Sequence, residues 1–142
     1  MNKDEFLNNF FVKYPTKYLP LAPLGLWWDT NRGLEDYYKQ NGINNMENWK
    51  DIKNTMRHIT GLARTSQAYG IPTARILGLI KETGDFWTGN QDNVKDFRNN
   101  ELGINYVKNN PNATRKKLMD YAFKRALLEQ KENKTLSDYL AE

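Results

Sequence analysis

Arg57 and His58 stand side by side, Glu82 follows about two dozen residues later, and Asp96 opens an Asp-x-x-Asn-Asn-x-x-Gly run through Asn99, Asn100 and Gly103. An imidazole with an acid partner is the minimal equipment for proton transfer near neutral pH, and a second carboxylate fixes the tautomer or activates water. In a hydrolase built this way, His58 and Glu82 exchange protons, Asp96 and Asn99 orient them, and Arg57 stabilises developing negative charge. The same residues have an architectural reading, in which a buried Arg, Glu, Asp and Asn cluster holds three helices together. Without chemistry, Arg57 and Asn100 become binding groups. A lone histidine with Glu82, Asp85 and Asp96 matches no recognised metal-ligand spacing. The absence of cysteine excludes disulfides, iron–sulfur clusters and thiolate zinc. No cofactor is expected.

These residues need helices to position them. Trp49, Ile52, Met56, Ile59 and Ala63 share one face of a strongly periodic stretch. It starts after Asn44 or Asn45 and ends at Gly70, so residues 44–70 are expected to form a central helix. His58 lies about 120° from that face, beside Leu62, Thr65 and Tyr69, where it meets either a second packed surface or a cleft. Pro72 suits the first turn of the next helix, which carries Glu82 and is expected to stop at Gly84. Residues 84–92 read as a loop. A helix from about 92 to 109 carries Asp96, Asn99 and Gly103 on one side and is expected to be interrupted at Gly103. Thr114 caps a last long helix over 115–131, and residues 135–140 add a terminal turn.

Towards the N-terminus, Phe6, Leu7, Phe10 and Phe11 make one stripe of a short helix that ends before Pro15. Residues 15–28 contain three prolines followed by Leu24, Leu26, Trp27 and Trp28, which predicts an extended arm lying across the core. Trp27 and Trp28 make that arm a candidate contact surface. Asp29 or Thr30 then caps a short helix through Gln40, closed by Asn41-Gly42. With no period-2 strand and no internal repeat, the expected fold is all-α: a single domain of five or six helices with a Pro/Trp-rich arm.

Composition narrows the function classes. The chain has 142 residues and a formal net charge of +4, enough for one core. The basic residues are dispersed along most of the chain, so the charge does not demand nucleic acid. In the last helix, Asp120, Glu129 and Glu132 interrupt a run that includes Arg115, Lys116, Lys117, Lys124 and Arg125. No apolar stretch approaches the roughly 20 residues of a membrane span, and residues 1–9 lack signal-peptide character, so synthesis in the cytosol is expected. Neither a nucleophile elbow nor a phosphate-binding glycine loop occurs.

The order Arg57-His58, Glu82, then Asp96, Asn99, Asn100 and Gly103 resembles an uncharacterised helical domain of secreted bacterial proteins and phage virion proteins. The match covers about a third of the chain. That domain carries histidines beside the Glu and within the Asp-x-x-Asn stretch, where this chain has Lys81 and Arg98. The resemblance implies a phage or bacterial envelope setting, with incorporation into a virion and other proteins, phage structural proteins among them, as partners. Three readings follow in order. The first is an accessory or virion-associated protein acting through protein contacts, with an architectural polar cluster. The second is a hydrolase of an envelope polymer such as peptidoglycan, and the third a basic nucleic-acid-binding module.

Overall fold

The computed structural model describes residues 22–87 and 93–132, with side chains described for 30–79 and 95–132. Five α-helices follow one another: α1 (Ala22–Gln40), α2 (Trp49–Tyr69), α3 (Ile71–Trp87), α4 (Asn93–Asn109) and α5 (Arg115–Glu132), with a 3-10 turn at Ile43–Asn45. Among the described residues there is no strand. The fold is all-α.

Helix α2 is the axis, and α1, α3, α4 and α5 all pack against it. Ile52, Met56 and Ile59 join Leu34, Tyr37 and Tyr38 of α1 and Met119, Ala122 and Ala126 of α5 in the largest apolar cluster. Further along α2, Leu62 meets Ala74 and Ile104, while Ala63 meets Val107 and Leu118. Burial around nearly the whole circumference also takes in Thr55, His58, Thr60 and Ser66. Local bonds offset part of that polar burial, since the Ser66 hydroxyl donates to the Leu62 carbonyl at 2.8 Å.

Several local expectations hold. Gly42 adopts φ 65° and closes α1, where a Cβ would be strained. Pro72 lies in the first turn of α3. The Thr114 hydroxyl accepts from the Lys117 amide at 3.2 Å, capping α5. Between α1 and α5, the Tyr37 hydroxyl donates to Asp120 at 2.7 Å.

Other expectations are corrected. Residues 22–28 belong to α1, not to an extended arm. Pro23 falls in the first turn, where its missing N–H would have had no intrahelical acceptor, so proline starts this helix instead of excluding it. Thr30 is consequently a buried mid-helix residue and no cap. The central helix starts at Trp49, because the 3-10 turn uses residues 43–45. Helix α3 runs through Gly84 to Trp87. Glycine's disadvantage of about 1 kcal/mol weakens a helix without forbidding it, and Gly84 here keeps helical conformation.

Gly103 does not interrupt α4. A Cβ at Gly103 would lie 2.1 Å from the Ile59 carbonyl oxygen and 3.1 Å from the Ala63 nitrogen, so the glycine is the notch through which α4 closes on α2. A second notch is Gly78 of α3, whose Cβ would meet Leu62 at 3.1 Å and the Asn100 amide at 3.3 Å. The expected helix over 3–14, residues 15–21 of the arm and the turn at 135–140 lie outside the described residues.

Candidate functional site

The close α2/α4 crossing brings two i, i+4 polar pairs face to face: Asn54 and His58 on α2, Asp96 and Asn100 on α4. His58 Nε2 lies 3.2 Å from Asp96 Oδ1, and His58 Nδ1 lies 3.0 Å from Asn100 Oδ1. Asn54 Nδ2 donates to the same Asp96 oxygen at 3.2 Å, and its own Oδ1 accepts from Arg57 at 3.1 Å. Arg57 thus reaches the carboxylate through an amide relay. Asp96 is in the first turn of α4, where the helix dipole favours negative charge.

The cluster is sealed. His58 is 2% exposed, Asp96 3% and Asn100 4%. A cavity of about 200 Å³ between α3 and α4, walled by Leu62, Gly78, Phe97 and Ile104, reaches Asn100 but is not lined by His58. Both imidazole nitrogens are engaged. A ring protonated at both nitrogens donates to Asp96 and to Asn100 Oδ1; a neutral ring keeps both bonds if the Asn100 amide turns its NH₂ towards Nδ1. A general base must instead direct a free nitrogen at the substrate.

The sequence candidates therefore separate. His58, Asp96, Asn100 and Arg57 come together as one cluster. Asn99 does not join it: among the described residues its side chain makes no hydrogen bond, and Asn100, one residue on, orients the imidazole in its place. One step around a helix is about 100°, so adjacent asparagines address different neighbours. Asn54 was missed, although its position four residues before His58 was a usable signal. The backbones of Glu82, Trp27 and Trp28 lie in α3 and α1, and their side chains are outside the described ones.

Among the described residues, no three His, Cys, Asp or Glu side chains are grouped to hold a metal ion, and no helix is long and apolar enough to cross a membrane. On α5 the basic residues are partly committed, as Lys116 donates to Asp120 at 2.8 Å. That ammonium and the Tyr37 hydroxyl hold the Asp120 carboxyl below its usual range. Burial, and then the Asp120 hydrogen bond, hold the Tyr37 phenol well above its ordinary value, so it stays a donor. No protein-family model, curated protein or solved structure matches this chain.

Proposed function

We propose that this chain is a small helical accessory protein that works through protein–protein contacts, and that its His/Asp/Asn cluster is architectural. The observation that carries the reading is the enclosure of His58, 2% exposed with both ring nitrogens bonded to α4. A residue so placed fixes the rotation of α4 on α2, because any slip leaves buried polar atoms without partners. A surface for contacts is available on α3, where Ile76 is 59% and Leu79 55% exposed three residues apart. The sequence resemblance supports a phage or bacterial envelope setting, with virion proteins as partners.

The competing hydrolase reading needs the imidazole in reach of a polymer chain. His58→Ala separates the two. An architectural cluster loses about 2–4 kcal/mol of stability, since Asp96 and Asn100 are left buried and incompletely paired. In the wild type the imidazole NMR signals stay unmoved by peptidoglycan fragments. The reading fails if the fragments shift those signals and His58→Ala abolishes fragment cleavage while melting with the wild type.

A further inference from the structure

The groove between α1 and α5 shares no lining residue with the His58 cluster, and its chemistry is of another kind. It holds about 530 Å³, within the roughly 300–1,000 Å³ usual for small-molecule sites. Tyr37 and Met119, both buried, form its floor. A Cβ at Gly33 would lie 2.9 Å from the Met119 terminal methyl and 3.3 Å from Arg115 Cδ, so the bare backbone of Gly33 lets both side chains reach across to α1. Above this floor, Asp36 and Gln40 stand one turn apart on α1 as one exposed wall, and Arg115, Lys116 and Asp120 of α5 make the other. The Asp120 carboxylate is already oriented, because it accepts from the Tyr37 hydroxyl at 2.7 Å and from Lys116 at 2.8 Å.

Two acids and two bases line the groove, so it has no net charge. An anion here would be held against Asp36 and Asp120, a cation against Arg115 and Lys116, and a zwitterion would meet each like charge beside its opposite. A neutral ligand rich in hydroxyls meets no such conflict. Each hydroxyl both donates and accepts, so carboxylates take its protons while guanidinium, ammonium and amide groups donate to its oxygens, and bonds to the charged groups are the stronger kind. A sugar ring also has apolar C–H faces, which suit a floor of thioether and aromatic carbon. We propose that the α1/α5 groove binds a neutral saccharide, with one ring face over Met119 and Tyr37 and the hydroxyls bonded by Asp36, Gln40 and Arg115. This site stands independently of the architectural reading of the His58 cluster.

The test is an NMR titration of the full chain with glucose, N-acetylglucosamine and the β-1,4-linked disaccharide of each in separate arms, with glycerol and glycine as controls. Saturable shifts of the Gly33 backbone amide, the Gln40 side-chain amide and the Arg115 Nε–H are expected with at least one saccharide, in the millimolar range, while the His58 imidazole signals stay still. A tighter disaccharide marks a polymer chain as the source, and equal affinities mark a single ring. Asp36→Ala, at an exposed position, weakens binding by about tenfold, as expected for loss of a charge-assisted hydrogen bond. Asp36→Asn, which keeps an acceptor oxygen, weakens it less. The proposal is overturned if no saccharide shifts these signals saturably in large excess, if glycerol or glycine acts equally, or if Asp36→Ala with a wild-type melting curve binds as well as the parent.

Discussion

Replacing Gly103 by alanine sets a methyl carbon 2.1 Å from the Ile59 carbonyl oxygen and 3.0 Å from its carbonyl carbon. Carbon–oxygen contacts rest at about 3.3–3.6 Å, so α4 must retreat from α2 by roughly 1.2 Å. The obstacle is helix backbone, which cannot swing aside as a side chain would. Retreat also stretches the His58 bonds to Asn100 and Asp96, now 3.0 and 3.2 Å, beyond useful hydrogen-bond length. Overpacking costs about 1–3 kcal/mol and the two weakened bonds about 1 kcal/mol each. Alanine returns about 1 kcal/mol in helix propensity. The net expectation is a loss of about 2–4 kcal/mol, or a fall in Tm on the order of 10 °C for a domain this size. Urea denaturation gives the free energy directly, and the imidazole signals of the single histidine report whether the cluster has opened. On propensity alone, Gly→Ala inside a helix stabilises, so the two accounts differ in sign. A variant within about 0.5 kcal/mol of the parent, with unchanged imidazole signals, would refute the notch.

Thr114→Ala removes the cap on α5 and should cost about 1 kcal/mol in urea denaturation, whereas Thr114→Ser should retain most of the stability; equal losses would mean the hydroxyl bond contributes nothing. Asp120 supplies a pH dependence. Its carboxyl is held low in the folded state, so its contribution is fully present above the unfolded value of about 3.9 and is lost as pH falls through the lower folded value. The Tm difference between the wild type and Asp120→Asn should accordingly hold from about pH 7 to 5 and close on further acidification, and it should shrink with salt because the carboxylate is exposed. A difference that persists unchanged in acid contradicts this assignment.

Much of the helical layout was legible because its signals are local. The apolar period of α2, the Thr114 cap, the Asn41-Gly42 stop and Pro72 in a first turn each depend on residues within about one helical turn. The pairing of His58 with Asp96 was half legible, since residue type marked both but nothing in the spacing said which side of α4 would turn inward. Pro23 and Gly84 misled for a related reason. Propensity describes a residue alone, whereas position in the first turn decides what Pro23 loses, and a glycine penalty of about 1 kcal/mol is a bias and not a stop.

By itself, then, the sequence determined the all-α class, the central helix and the polar residues available to a cluster. Tertiary structure decided that Asn100 and not Asn99 meets the imidazole, that Asn54 carries Arg57 to Asp96, and that Gly103 joins two helices instead of breaking one. Such outcomes depend on the rotation of each helix about its axis and on the separation of two backbones. Packing of the whole core sets those quantities to within an ångström, and no window of local sequence contains them.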